Sequence, residues 1–161
     1  METKSVESNI WKFYVAKFIG SFEFVAAIFV LYLLSNNLSM TEVLILQSFF
    51  TIVIFSLEIP SGVLADLFGL KNTLILSQFF VIVGFVLYGM FYTFATFMIA
   101  EFFIALGFAL NSGTDSAFIY NTLEQVKKED TFKKIMGRIS AIYVLSIGLS
   151  AALGGYLASL F

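Results

Sequence analysis

Long apolar runs, separated only by short polar turns, leave this chain few ways to fold. They cover about residues 10–34, 40–66, 71–92, 95–123 and 135–161. A helix needs about 20 apolar residues to cross a bilayer, so each run is long enough to span one. Of the 161 residues, 60% are hydrophobic and 12% are charged, and the mean hydropathy is +0.96. Soluble domains carry roughly 25% charged residues, and a single core of this size could not hide so much apolar surface. The sequence therefore predicts an all-α polytopic membrane protein with five transmembrane helices, its solvent mostly the lipid bilayer.

Several functions are excluded early. The chain has no cysteine and no histidine, which removes disulfides, thiolate metal sites and the commonest general base. No paired nucleophile and base, no metal-ligand cluster and no Gly-rich phosphate cradle can be assembled. No enzyme, cofactor or metal is expected. Nucleic acid is not expected as a partner, because the basic residues form no aromatic-interleaved patch. The first apolar run is too long for a signal peptide and ends in Ser35-Asn36-Asn37 without a small-x-small cleavage site.

The positive charges set an orientation. Lys4, Lys12 and Lys17 precede or open the first span, with the latter two expected to snorkel to the interface, and Lys71 lies between the second and third. Lys127, Lys128, Lys133, Lys134 and Arg138 lie between the fourth and fifth, while the other two loops have no base. By the positive-inside rule the N-terminus is cytoplasmic. The chain stops inside an apolar helix, which gives the expectation of a truncated or split carrier; a complete five-span protein that pairs with a copy of itself is the other reading.

Charge in the bilayer centre costs at least about 2.5–3.5 kcal/mol on insertion scales, so acids in the spans are candidate functional groups. Glu42 is explained by its place in the first turn of the second span, after a Ser39 or Thr41 cap. Glu23, Glu58, Asp66, Glu101 and Asp115 remain. Glu23 reads either as a cation- or proton-binding carboxylate or as a protonated group between helices. Gln47, Thr51 and Glu58 share a helical face, as a cavity lining or as interhelical hydrogen-bonding groups. Glu101 and Asp115 are 14 residues apart, near four helical turns, with Asn111 one turn before Asp115. In the fifth span Tyr143, Ser146, Ser150 and Gly154 form one face, and Gly137, Gly148 and Gly155 form a second suited to close packing.

Between the second and third spans stands Glu58-Ile59-Pro60-Ser61-Gly62-Val63-Leu64-Ala65-Asp66-Leu67-Phe68-Gly69-Leu70-Lys71, which holds the chain's single proline. The stretch resembles the signature G-x-L-A-D-R-x-G-R-K of the major facilitator superfamily. Gly62, Leu64, Ala65, Asp66, Gly69 and Lys71 match it, and Leu67 and Leu70 stand where the signature has arginine. The segment from Ser112 to Leu123 resembles a prokaryotic branch of that family. Gly62 is expected to allow close helix approach and Gly69 the reversal. Other family patterns are reduced: Glu101 and Ala105 fall where the fourth span would carry an arginine and a glycine. Only Gly154-Gly155 remain of an antiporter pattern in the fifth.

The resemblance implies a partial N-terminal six-helix bundle, part of a twelve-helix secondary carrier that moves a small solute by alternating access, efflux being one form. Glu23, Gln47, Asn111, Asp115 and Glu101 would line the cavity or carry protons. Glu58, Gly62, Asp66, Gly69 and Lys71 would control conformation, with Asp66 contacting a helix terminus of the other half; on a plainer reading Asp66 only caps its own turn. The expected partners are the bilayer, an unnamed solute, and a C-terminal half or second membrane chain. A non-transporting remnant or assembly subunit is the alternative.

Overall fold

The computed structural model describes residues 2–21 and 28–158. Among them the chain is helical: α1 (Glu2–Gly20), α2 (Phe29–Ser35), α3 (Met40–Phe68), α4 (Leu70–Met90), α5 (Phe94–Asn111), α6 (Thr114–Gln125) and α7 (Phe132–Ala158), with a 3-10 turn over Glu129–Thr131. By length and composition, four helical stretches could cross a membrane: α3, α4, α5 with α6, and the 3-10 turn with α7. The expected first span is represented by α1 and α2, and residues 22–27 lie outside the described residues. Helix α1 starts at Glu2, before the apolar run that begins near residue 10.

The helix starts follow local chemistry. Ser39 and Glu42 close a capping box: Ser39 Oγ accepts from the Glu42 amide at 3.3 Å, and Glu42 Oε2 accepts from the Ser39 amide at 2.7 Å. That decides between the two expected caps in favour of Ser39 and explains the acid at this position. Thr93 and Thr96 form the same reciprocal arrangement at the start of α5.

The chain divides into two compact units. One comprises residues 32–118, and the other residues 1–31 with 119–161. In the first, α3, α4 and α5 pack on one another. The α4–α5 crossing is the closest approach. A Cβ on Gly107 would stand 2.6 Å from the Ser77 carbonyl oxygen, and one on Gly84 would stand 2.8 Å from that of Ala100 and closer still to the Ile104 side chain. Phe80 stacks on Phe103 at 6.0 Å between these helices, and Phe50 of α3 meets Phe108 of α5 edge-on at 5.8 Å.

In the second unit α7 packs on α1, and the Lys17 ammonium lies 5.5 Å from the Tyr143 ring centroid. The buried face of α7 is Ile135, Ile139, Ser146, Ser150 and Gly154. The expected packing face of Gly137, Gly148 and Gly155 is open among the described residues, with nothing of theirs within 4 Å of a Cβ at any of the three. Small residues permit close approach without compelling it, and here the approach occurs elsewhere, at Gly84 and Gly107.

Candidate functional site: the α3–α4 turn and the polar residues of the spans

Helix α3 runs unbroken through Pro60 to Phe68. The ring removes one amide donor, that of residue 60, and the hydroxyls nearby turn onto the backbone: Ser56 Oγ donates to Ile52 O and Ser61 Oγ to Glu58 O, both at 2.8 Å. The reversal takes a single residue, Gly69, at φ +80 and ψ 143. That region is nearly closed to residues with a Cβ, so the glycine of the signature is required by geometry. The other glycine is not used as expected. Gly62 is exposed, with nothing within 4 Å of a Cβ, so it mediates no close helix approach among the described residues.

The turn satisfies its own backbone. Asn72 Nδ2 donates to the Phe68 carbonyl at 3.0 Å, and both the amide and the hydroxyl of Thr73 donate to the Gly69 carbonyl at 3.1 Å. Sequence reading missed these two residues, although an amide and a hydroxyl three and four positions after a reversal glycine were the available signal. Their presence speaks against Asp66 as the cap of the turn. Asp66 and Lys71 are exposed and make no ion pair with another described residue. Both also oppose the helix dipoles: Asp66 lies in the last turn of α3, the negative end, and Lys71 in the first turn of α4, the positive end.

On α3 the buried face is Val43, Leu46, Val53, Ser61 and Ala65. Gln47, Thr51 and Glu58 lie beside it and are exposed, so these side chains are not consumed by packing in this chain. Thr51 Oγ1 only returns to Gln47 O, at 3.0 Å. A shallow apolar groove of about 390 Å³ lies between the first half of α3 and Met98 of α5, and none of the expected cavity residues lines it.

The expected fourth span breaks. Helix α5 ends at Asn111, Gly113 turns at φ +76, and α6 begins at Thr114. The polar patch holds the break together. Thr114 Oγ1 donates to Leu110 O at 2.8 Å, Ser116 Oγ to Gly113 O at 2.9 Å, and the Ser116 amide to Asp115 Oδ1 at 2.7 Å. Constant helical phase does not carry across such a break, so the spacing that set Glu101 and Asp115 on one face loses its basis. With 18 residues, α5 is about 27 Å long, close to the roughly 30 Å hydrocarbon core. Asn111 and Asp115 are both half-buried.

Glu101 is placed differently from the other candidates. It is only 4% exposed, in the interior of the unit, and accepts a 2.7 Å hydrogen bond from Tyr88 Oη. It is closed off, not lining an open space. Glu23 lies outside the described residues. No group of three or more acids that could hold a metal ion occurs among the described residues.

An all-helical chain whose apolar residues face outward, with four helical stretches able to cross a bilayer, is a multi-pass membrane protein. The family profile of the Major Facilitator Superfamily matches residues 13–161, and the chain belongs to that family. It is 28% identical over 133 residues to the uncharacterized MFS-type transporter YxaM of Bacillus subtilis (strain 168), an overlap of 83% of this chain and 32% of that protein. The chain thus spans about a third of the length of this curated relative. No solved structure matches it. Family membership points to transport and away from catalysis.

Proposed function

We propose that the protein is a secondary active transporter of a small solute, to which these residues contribute the first helices of an N-terminal bundle. The observation that carries the reading is the family match over residues 13–161; the relative's description as an MFS-type transporter agrees with it. The transport site of such a carrier lies near the midplane between two helical repeats. On this reading Gln47, with Thr51 and Glu58 beside it, faces the solute path, because that face of α3 is polar and left uncovered. Asn111 and Asp115 stand at its inner end, where the backbone between α5 and α6 leaves the helix; irregular backbone at membrane depth is tolerated where it is buried in protein or lines water. Glu23 belongs to the same proposal from sequence alone.

The α3–α4 turn is the conformational control. Among the described residues Asp66 makes no capping hydrogen bond and no ion pair, and its own helix dipole disfavours it. A positive helix terminus in another part of the carrier would satisfy it in one conformation and release it in the other, which is what alternating access requires of a latch. The turn and the Glu124–Lys134 linker face the cytoplasm of a cell membrane, and efflux is one direction this device can serve.

The test is flux in proteoliposomes containing the protein from its full reading frame, screened against a panel of labelled amino acids, sugars and organic cations. Asp66→Asn should lower the flux of whichever solute is carried at least several-fold. No flux for any solute class would count against transport, and flux insensitive to Asp66→Asn would count against the latch.

A further inference from the structure

Glu101 belongs to a chain of contacts that joins three helices. Tyr88 Oη of α4 donates to Glu101 Oε1 of α5 at 2.7 Å, and both side chains are buried, at 5% and 4% exposure. The Tyr88 ring stacks on Phe97 at 5.1 Å and 25°, and Phe97 is itself fully buried. The edge of Tyr32, from α2, meets the same Phe97 ring at 6.2 Å and 69°. Tyr32 Oη then donates to the Tyr88 main-chain carbonyl at 2.6 Å.

That last bond has a clear physical reason. Tyr88 lies in the last turn of α4, which ends at Met90, and the final four carbonyls of a helix have no intrahelical donor. Tyr32 supplies one from another helix. Asn36 Nδ2 in turn donates to the Tyr32 carbonyl at 2.8 Å. Helices α2, α4 and α5 are therefore joined beside the two loops without charge, Asn36–Ser39 and Phe91–Thr93.

We infer that Glu101 is a positioning residue, the acceptor of a three-helix clasp that holds these ends of α2, α4 and α5 as one body, and not a carboxylate that meets the solute. A binding carboxylate must offer its oxygens to an open space. Glu101 is sealed among Phe97, Ala100, Ile104 and Ala105, all buried, and its hydrogen bond among the described residues comes from Tyr88. What the clasp needs at this position is a hydrogen-bond acceptor of the same length, which an amide oxygen also provides. The inference stands apart from the transport reading, since its test reads stability and exchange instead of flux.

The experiment uses the protein from its full reading frame, purified in detergent. Thermal midpoints are measured for Glu101→Gln, Glu101→Leu, Tyr88→Phe and the Tyr88→Phe/Glu101→Leu pair. Glu101→Gln should stay near the parent. Tyr88→Phe and Glu101→Leu should each lower the midpoint by about 2–4 °C, and the pair by little more than Glu101→Leu alone, because partners in one interaction are not additive. As a variant that removes only one hydroxyl, Tyr32→Phe should raise amide exchange several-fold in the last turn of α4. Losses in Glu101→Gln as large as in Glu101→Leu, additive losses in the pair, or unchanged exchange in Tyr32→Phe would each overturn the clasp.

Discussion

Gly84 of α4 and Gly107 of α5 lie at the same crossing, each where the other helix comes closest. A Cβ at Gly107 would meet backbone on the far side, the Ser77 oxygen at 2.6 Å and the Val81 nitrogen at 3.1 Å. At Gly84 it would meet the Ala100 oxygen at 2.8 Å and the Ile104 side chain. Backbone in a helix cannot step aside for one methyl group. Gly107→Ala and Gly84→Ala are therefore expected to destabilise the protein by about 1–3 kcal/mol, the range for overpacking. Gly107→Ala should be the worse, because a Cβ there meets two backbone atoms besides the Val81 side chain, whereas at Gly84 it meets one backbone atom and the Ile104 side chain. Gly137→Ala and Gly148→Ala, with open space around them, should be neutral or stabilising by about 0.5–1 kcal/mol. Thermal or denaturant unfolding in detergent separates the two pairs by sign.

The reversal at Gly69 gives the next prediction. Its φ of +80 with ψ of 143 lies near a region almost confined to glycine, where strain amounts to about 1–3 kcal/mol per residue. Gly69→Ala should lose stability in that range although nothing crowds the position. Asn72→Ala removes the donor to the Phe68 carbonyl and should lose about 0.5–1.5 kcal/mol. Asn72→Asp cannot donate and should not recover it. Comparing the Ala and Asp variants by thermal unfolding distinguishes a lost hydrogen bond from a lost side-chain shape.

These residues show where sequence reading reached and where it stopped. Helix positions were legible because apolar length and cap chemistry are local: Ser39 and Glu42 state the start of α3 within four residues, and Gly69 states its end. The close-packing glycines were not legible. Gly137, Gly148 and Gly155 looked like a packing face by spacing, yet the approach occurs at Gly84 and Gly107, which lie on different helices and become neighbours only in the folded hairpin. The Tyr88–Glu101 pair has the same character. It depends on the register of α4 against α5, and distance from the Phe91–Thr93 turn gave no clue to it, because Tyr88 lies close before the turn and Glu101 more than two helical turns after it. The spacing of Glu101 and Asp115 assumed one continuous helix, and the turn at Ser112–Gly113 between α5 and α6 interrupts it.

The unfavourable placement of Asp66 and Lys71 leads to a prediction of opposite signs. Each is exposed, without an ion pair among the described residues, and at the wrong end of its helix dipole. An exposed charge near a helix end interacts with the dipole by about 0.3–1 kcal/mol at low ionic strength. Asp66→Asn should therefore stabilise the helices of this chain by at most that amount, with the gain fading as salt screens it, while flux through the carrier falls. A residue kept only for stability would show the reverse pattern. Thermal unfolding of this 161-residue chain in detergent, compared with flux by the whole carrier in liposomes, reads the two signs separately.

The orientation assigned to the chain can be tested without knowing the solute, because the chain contains no cysteine and any introduced thiol is unique within it. Met40 is exposed at the first residue of α3, beside the base-free loop Ser35–Ser39, and Glu129 is exposed in the basic linker before α7. Lys71 lies in the α3–α4 turn and five bases lie from Lys127 to Arg138, while the loops after α2 and α4 have none, so the positive-inside rule predicts Met40 outside and Glu129 in the cytoplasm. In intact cells a membrane-impermeant maleimide should label Met40→Cys and leave Glu129→Cys unlabelled; after permeabilisation both should react. Labelling of Glu129→Cys in intact cells with Met40→Cys protected would invert the topology and move the Asp66–Lys71 turn to the outer face. Equal labelling of both would place the two sites on one side, which requires an even number of crossings between them where α3, α4 and the α5–α6 stretch supply three.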